Sequence, residues 1–351
     1  MKSKNYTVLL LRVIATLFIL TCHIGTALAI GFIAQSFNVG VQIFLFISGF
    51  LYGRKLIEKP LIFIKNRVIR VTIPVIIYVI ACLIVALCVS SKFSWWSLPL
   101  YVFNLQGYQH FIEFMPAIQL IEGTEHLWFI TVLFICYGLT LLVKLIKVDF
   151  TQVKKWILIL IFSLCVIISF VASYFGVRLD YILVYFIGYF VSALAIKTNW
   201  KSVLITFVLM CAFIALRLAV KKYCDEHGDI PVYTQVVMPL SYITMTLFIY
   251  FGLDWVVIHT QEKKFFSTIY QSKVLGFMDK LSYPIYVVHY IFISSSVSFF
   301  LLDIHVALKV TLFLVASVAA GIVLYFICFG INKLIALPEQ KKGEDGKEQR
   351  S

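Results

Sequence analysis

The feature that most narrows the fold is the recurrence of apolar segments as long as a bilayer core is thick. A spanning helix needs about 20 predominantly apolar residues, since the hydrocarbon layer is about 30 Å deep. Ten such segments lie approximately at 8–33, 37–53, 71–90, 126–146, 156–176, 180–196, 202–220, 234–258, 281–300 and 309–336. The second and sixth are the shortest. Only 13% of the 351 residues are charged, whereas a soluble domain carries about a quarter, and 62% are hydrophobic. No soluble core hides that much apolar surface, so the solvent is lipid. The expected fold is an all-α integral membrane protein, a bundle of about ten transmembrane helices. Val8 to Ile33 is too long for the apolar region of a signal peptide and reads as a retained first span. Residues 1–336 are expected to form one membrane-embedded domain, and 337–351 a polar, disordered tail.

An even number of spans puts both termini on one side, and the positive-inside rule says which. With the termini cytoplasmic, the cytoplasmic links and adjoining span ends hold 23 of the 30 Lys and Arg, among them six from Arg54 to Arg70. The outer side holds Lys92, Arg178, Arg217, Lys221, Lys222 and Lys309. The net charge of +13 therefore follows topology and gives no reason to expect nucleic acid as a partner. Seven of the eight cysteines fall within spans and only Cys224 in an outer loop, which is neither a disulfide framework nor a spaced metal site.

Arg12 remains, and with His23 it interrupts the first span. Ionisable groups in lipid cost a few kcal/mol each, so their default reading is functional. Eleven residues at about 100° each come within about 20° of three full turns, so both side chains leave one face. A rise of about 1.5 Å per residue separates them by roughly 16 Å.

Four further polar groups break the apolar pattern. Arg67 and Arg70, three apart before Pro74, point to one side of a helix. They read either as lipid-headgroup anchors or as a phosphate grip. Glu125-His126-Leu127-Trp128-Phe129 opens the fourth span. Ser282, Tyr286 and His289 form one stripe of the ninth span, as interhelical glue or as a site. The stretch from Ser91 to Glu125, rich in aromatics and containing Glu113, Glu122 and Glu125, reads as a re-entrant lid or a membrane-hugging loop. In the second span, Gly40, Ser48 and Gly49 offer small surfaces that would seat the first span closely.

Taken in order, these segments resemble the acyltransferase-3 family of integral membrane acyltransferases. The resemblance rests on Arg12-x10-His23, Ser48-Gly49-Phe50-Leu51, Arg67-x-x-Arg70-x-x-x-Pro74, His126-Leu127-Trp128-Phe129 and Ser282-Tyr283-Pro284-Ile285-Tyr286-x-x-His289, and spans about residues 6–336. It implies a bacterial-type plasma (inner) membrane and transfer of an acyl group, most often acetyl from acetyl-CoA. The acceptor is a hydroxyl of a cell-surface polysaccharide or its lipid-linked precursor. No permanently bound cofactor and no metal is implied. It also implies His23 and Arg12 as catalytic residues and Arg67 and Arg70 as the grip on the donor's phosphates. His126, Trp128, Ser282, Tyr286 and His289 are then expected on the substrate. His23 is either the base that deprotonates the acceptor or a transient acyl carrier. Family members often have an acidic residue shortly before the Arg. Here Leu9 and its neighbours are not acidic, which leaves the partner of Arg12 open.

Two other readings stand beside this one. A polysaccharide or small-molecule transporter also combines many spans with intramembrane charge, but paired discontinuous segments in two related halves are not visible. A non-catalytic subunit of a glycan synthase would tolerate replacement of Arg12 and His23.

Overall fold

The computed structural model describes residues 5–146 and 153–348, with side chains described as far as Ile335 apart from that of Lys155. The expected tail at 337–351 lies beyond the described side chains. Among the described residues the secondary structure is helical, and the only β feature is an isolated bridge between Ile112 and Val177.

The helices are α1 (Tyr6–Ala27), α2 (Gly31–Ser36), α3 (Val39–Gly53), α4 (Pro60–Arg67), α5 (Ile73–Cys88), α6 (Ser97–Val102), α7 (Tyr108–Phe111) and α8 (Trp128–Leu145). They continue with α9 (Lys155–Tyr174), α10 (Asp180–Ala193), α11 (Trp200–His227), α12 (Met238–Thr260), α13 (Lys264–Tyr270), α14 (Lys273–Val288) and α15 (Val306–Glu348). Eight helical stretches are long and apolar enough to cross a membrane, and the shorter α10 occupies the sixth expected span. Polar caps start several of them: Asn5 accepts from the Val8 amide, Asn199 and Ser202 form a capping box, and Ser272 accepts from the Leu275 amide.

Three spans differ from the sequence reading. The first ends at Ala27, where Ala29 and Gly31 take left-handed φ values of 56° and 55° and α2 folds back, so 8–33 is bent. The ninth begins earlier, at Lys273, and unwinds into a 3₁₀ turn at His289–Phe292. Pro284 inside α14 has no N–H to hold the preceding turn, which loosens the helix just before that point. The seventh runs on to His227, so Cys224 is a buried helix residue instead of a loop cysteine.

The links alternate between two faces. At the basic face, Arg54 Nε donates to the Ser192 carbonyl, Lys144 Nζ to the Gly53 carbonyl, and Thr7 and Thr198 both donate to Asp254. At the opposite face, Arg178 pairs with Asp180 and Glu113, while its amide donates to the Phe111 carbonyl. More than half of α8 is buried, whereas little of α9 is, with Ile159, Leu160, Leu164 and Ile167 turned outward as lipid-facing residues.

The closest helix contact joins α3 and α10. A Cβ on Gly49 would collide with the Tyr185 carbonyl, and one on Gly188 with the Phe46 carbonyl, so each helix supplies a glycine to the other's backbone. Gly40 does seat the first span, against Ala15 and Ile19. Gly49 instead seats α10, which sequence spacing alone did not indicate.

The segment from 89 to 124 is re-entrant. Buried Asn104 donates to Thr72 Oγ1 at 2.9 Å, deep along the helical stretch that ends at Cys88, roughly 20 Å below that end. Gln106 donates to the Leu127 carbonyl, the Gly107 amide to Thr131 Oγ1, and Tyr78 to the Gly123 carbonyl. Irregular backbone at that depth survives because protein, and not lipid, surrounds its polar groups.

Candidate active site

Two helices set the frame. Along the shared face of α1, Arg12 Nη1 lies 3.1 Å from Asp279 Oδ1, Thr16 Oγ1 lies 3.4 Å from the Ser282 carbonyl, and the His23 ring lies 5.1 Å from that of His289. Residues 12, 16 and 23 thus meet 279, 282 and 289 in step, so α1 and α14 run parallel. Asp279 supplies the acidic partner that the residues before Arg12 lack. It sits three residues before Ser282, one turn back along the polar stripe of α14, which is the signal that would have exposed it.

At the far end of that face, rings from three separate elements converge. His126 lies 4.9 Å from His289, 4.8 Å from Tyr290 in a stacked arrangement and 5.4 Å from Tyr286, while His23 lies 4.9 Å from Tyr290 edge to face. His126 and His289 are buried and His23 is half-buried. Tyr290, which sequence reasoning passed over, touches both His23 and His126. Its place directly after the His289 position was the available clue.

The unwound end of α14 decides the chemistry of two of these imidazoles. The last carbonyls of a helix have no partner within it. His126 Nε2 lies 3.0 Å from the Tyr286 carbonyl and 3.1 Å from that of Val287, and His289 Nδ1 lies 2.7 Å from the Tyr286 carbonyl. Carbonyl oxygens only accept, so these nitrogens carry the hydrogens. The lone pairs are then on His126 Nδ1 and His289 Nε2, both buried and without a partner among the described residues. A neutral imidazole with a free lone pair is what a proton acceptor needs.

The other expected site residues divide. Tyr286 is in the cluster, and its hydroxyl donates to the His126 carbonyl at 2.7 Å. Ser282 is on the same stripe, but its hydroxyl is taken by the Met278 carbonyl of its own helix. Trp128 stands apart from the cluster of His23, His126 and His289, stacked instead against His110 at 5.4 Å and tilted on Tyr181 at 4.8 Å.

Arg67 and Arg70 do not share a face, although their spacing on a regular helix points them to one side. Residues Val68–Thr72 form a π-helical turn, in which three residues fall well short of a full turn. Arg67 turns inward, its guanidinium 5.5 Å from the Tyr52 ring, 5.8 Å from Tyr137 and 5.9 Å from Phe63, while Arg70 is exposed. Arg12, Arg67 and Arg70 all lie within electrostatic reach of the Tyr52 hydroxyl. A cavity of about 240 Å³ opens beside them at the basic face, walled by Lys55, Lys59, Asn66 and Arg67 among others. Cations therefore gather at one end of the α1 face and imidazoles at the other.

A family model described as an acyltransferase domain, that of acyltransferase-3, matches residues 5–329. No curated protein and no solved structure matches the chain. The match takes in α1, the re-entrant segment, the histidine cluster and all but the end of α15, and the chain belongs to the acyltransferase-3 family of membrane acyltransferases.

Proposed function

We propose that the protein moves an acyl group, in the first instance acetyl, from cytoplasmic acyl-CoA to a hydroxyl of a surface polysaccharide or its lipid-linked precursor. The observation that carries this reading is the division of one helical face. Arg12, held by Asp279, marks its basic end, and His23, against His289 and Tyr290, marks the other. Positive-inside bias assigns the basic face to the cytoplasm of a bacterial-type plasma membrane. There the guanidiniums of Arg67 and Arg70 suit the donor's phosphates, and Arg12 is placed for the phosphate end of the donor, with the acyl end reaching along the α1 face toward His23.

A sugar hydroxyl becomes a competent nucleophile when a base takes its proton. Its oxygen then bonds to the thioester carbonyl carbon, the carbon–sulfur bond breaks, and the departing thiolate takes the proton from the imidazolium. The products are an ester and free CoA. His23 performs the proton transfer, or first accepts the acyl group itself. His126 and His289, with lone pairs set by the Tyr286 and Val287 carbonyls, hold the hydroxyl in line.

Replacing His23 with Ala tests the assignment. Surface-glycan O-acetylation, read by NMR, is expected to disappear while the variant still inserts in the membrane at the wild-type level. Acetylation that persists in that strain overturns it. Purified protein that binds neither CoA nor acetyl-CoA would point to an exporter instead.

A further inference from the structure

We propose that the cavity at the face opposite the basic one is the acceptor site, built for an uncharged, polyhydroxylated ring of a glycan. It has a volume of about 740 Å³, and its walls include Ala27, Glu122, Ser294, Ser296, Ser298 and Phe300. It opens broadly to solvent, which suits one ring of a longer chain better than an engulfed small molecule.

The walls carry the right chemistry. Serine hydroxyls both donate and accept, a carboxylate accepts from vicinal hydroxyls, and an aromatic ring offers an apolar face to the C–H side of a sugar. The only charge among the named wall residues is the Glu122 carboxylate, and the neighbouring Lys309 ammonium donates to the Phe300 carbonyl at 3.2 Å, which separates this cavity from the one beside Arg67 and disfavours a phosphate or carboxylate ligand. Ser295 and Ser298 are buried and donate to the Ile291 and Ile293 carbonyls, which fixes the path of the chain. Ser294 and Ser296 are left exposed. Ser296 donates to Glu122 Oε2 at 2.6 Å and so ties this segment to the end of the re-entrant one.

Both walls lead to His23. Ala27 is four residues beyond it on α1, on the same face and about 6 Å further along. On the other side, the Ser294 amide donates to the Tyr290 carbonyl at 2.9 Å, and the Tyr290 ring is 4.9 Å from that of His23. A ring held in the cavity therefore presents a hydroxyl about one helical turn from the imidazole. This inference rests on the acyl-transfer reading for the fate of that hydroxyl, though not for its binding.

The test uses the full-length protein in detergent. The probe is the surface polysaccharide of the cells that carry the protein, stripped of its acyl groups by mild base. Binding is read by saturation-transfer NMR and transfer with radiolabelled acetyl-CoA. Ser294→Trp, which fills the cavity from an exposed position, is expected to abolish saturation transfer to the sugar protons. It should also cut acetyl transfer more than about tenfold while leaving acetyl-CoA binding unchanged. Glu122→Gln keeps an acceptor for Ser296 and the shape of the side chain. Its expected effect is an acceptor KM about three- to tenfold higher at near-constant kcat. Polysaccharide binding by Ser294→Trp equal to that of the wild type, no binding by the wild type, or an unchanged KM in Glu122→Gln overturns the assignment. Binding that Ser294→Trp abolishes, with no transfer by the wild type, leaves the cavity as a glycan site and overturns the acyl-transfer reading instead.

Discussion

His126 and Tyr286 hold each other by exchanged bonds: the ring Nε2 donates to the Tyr286 carbonyl at 3.0 Å, and the Tyr286 hydroxyl donates to the His126 carbonyl at 2.7 Å. The pair locks the start of α8 to the end of α14 and fixes which nitrogen of His126 keeps a lone pair. Gln at 126 can return an N–H to the two carbonyls without supplying a base. His126→Gln is expected to insert and melt like the wild type yet lose about 100-fold or more in transfer. His126→Phe leaves the Tyr286 and Val287 carbonyls short of a donor, which costs about 1–3 kcal/mol and lowers the melting temperature in detergent. Equal activity in His126→Gln and wild type would remove His126 from the chemistry.

The Arg12–Asp279 pair is partly exposed, with 34% and 21% of the side chains accessible, so its contribution to stability is modest, about 1 kcal/mol or less. Its role in orientation is larger. Asp279→Asn frees the guanidinium from its fixed position, and the expected result is at least a tenfold loss in kcat/KM for acetyl-CoA at nearly unchanged melting temperature. Asp279→Glu should recover part of that loss. A variant that melts much earlier and keeps its activity would show the pair to be structural.

Gly188 and Gly138 form an internal control for helix packing. A side chain at Gly188 would run into the Phe46 carbonyl of α3, whereas nothing lies within 4 Å of a Cβ at Gly138. Gly188→Val is expected to separate α3 from α10 at a cost of about 1–3 kcal/mol or more, seen as lost expression and early melting. Gly138→Ala, in the interior of α8, should be neutral or slightly stabilising, by up to about 1 kcal/mol.

At the face opposite the basic one, His110 lies parallel to Trp128, with 7° between the planes. Burial of the stacked side pushes its pKa below the ordinary value, the Arg178 charge acts in the same direction, and Glu113 offsets part of it. The ring is therefore neutral in the folded protein at pH 7. Below about 6.5 the unfolded chain takes up this proton first, so the contribution to stability is complete above that pH. It is lost as the pH falls from there through the depressed folded value. His110→Phe keeps the stack and removes the proton site. Melting temperature measured from pH 7.5 to 5 should fall less steeply in that variant than in the wild type, and parallel slopes would contradict the assignment.

Much of this architecture is periodic and therefore legible in one dimension. Apolar length marks the spans, and a spacing of eleven places Arg12 and His23 on one face, which the structure shows packed along α14. The stripe of Ser282, Tyr286 and His289 is likewise a single-helix property. It reaches Asp279 once carried back one turn.

What periodicity does not carry is the choice of partner and the local breaks in the helix. The π-helical turn at Val68–Thr72 parts Arg67 from Arg70, although their spacing alone puts them together. Gly49 is visibly a small surface, but only packing assigns it to α10 instead of α1. The lone pairs on His126 and His289 depend on carbonyls released where α14 unwinds, on an element 160 positions from His126. By itself, then, the sequence determined most of the spans, their charge asymmetry and the helical faces, because helix period and the cost of charge in lipid act within one segment. Tertiary structure alone decided which faces meet, how deep the re-entrant segment reaches and which nitrogens are free, because those depend on contacts between segments far apart in the chain.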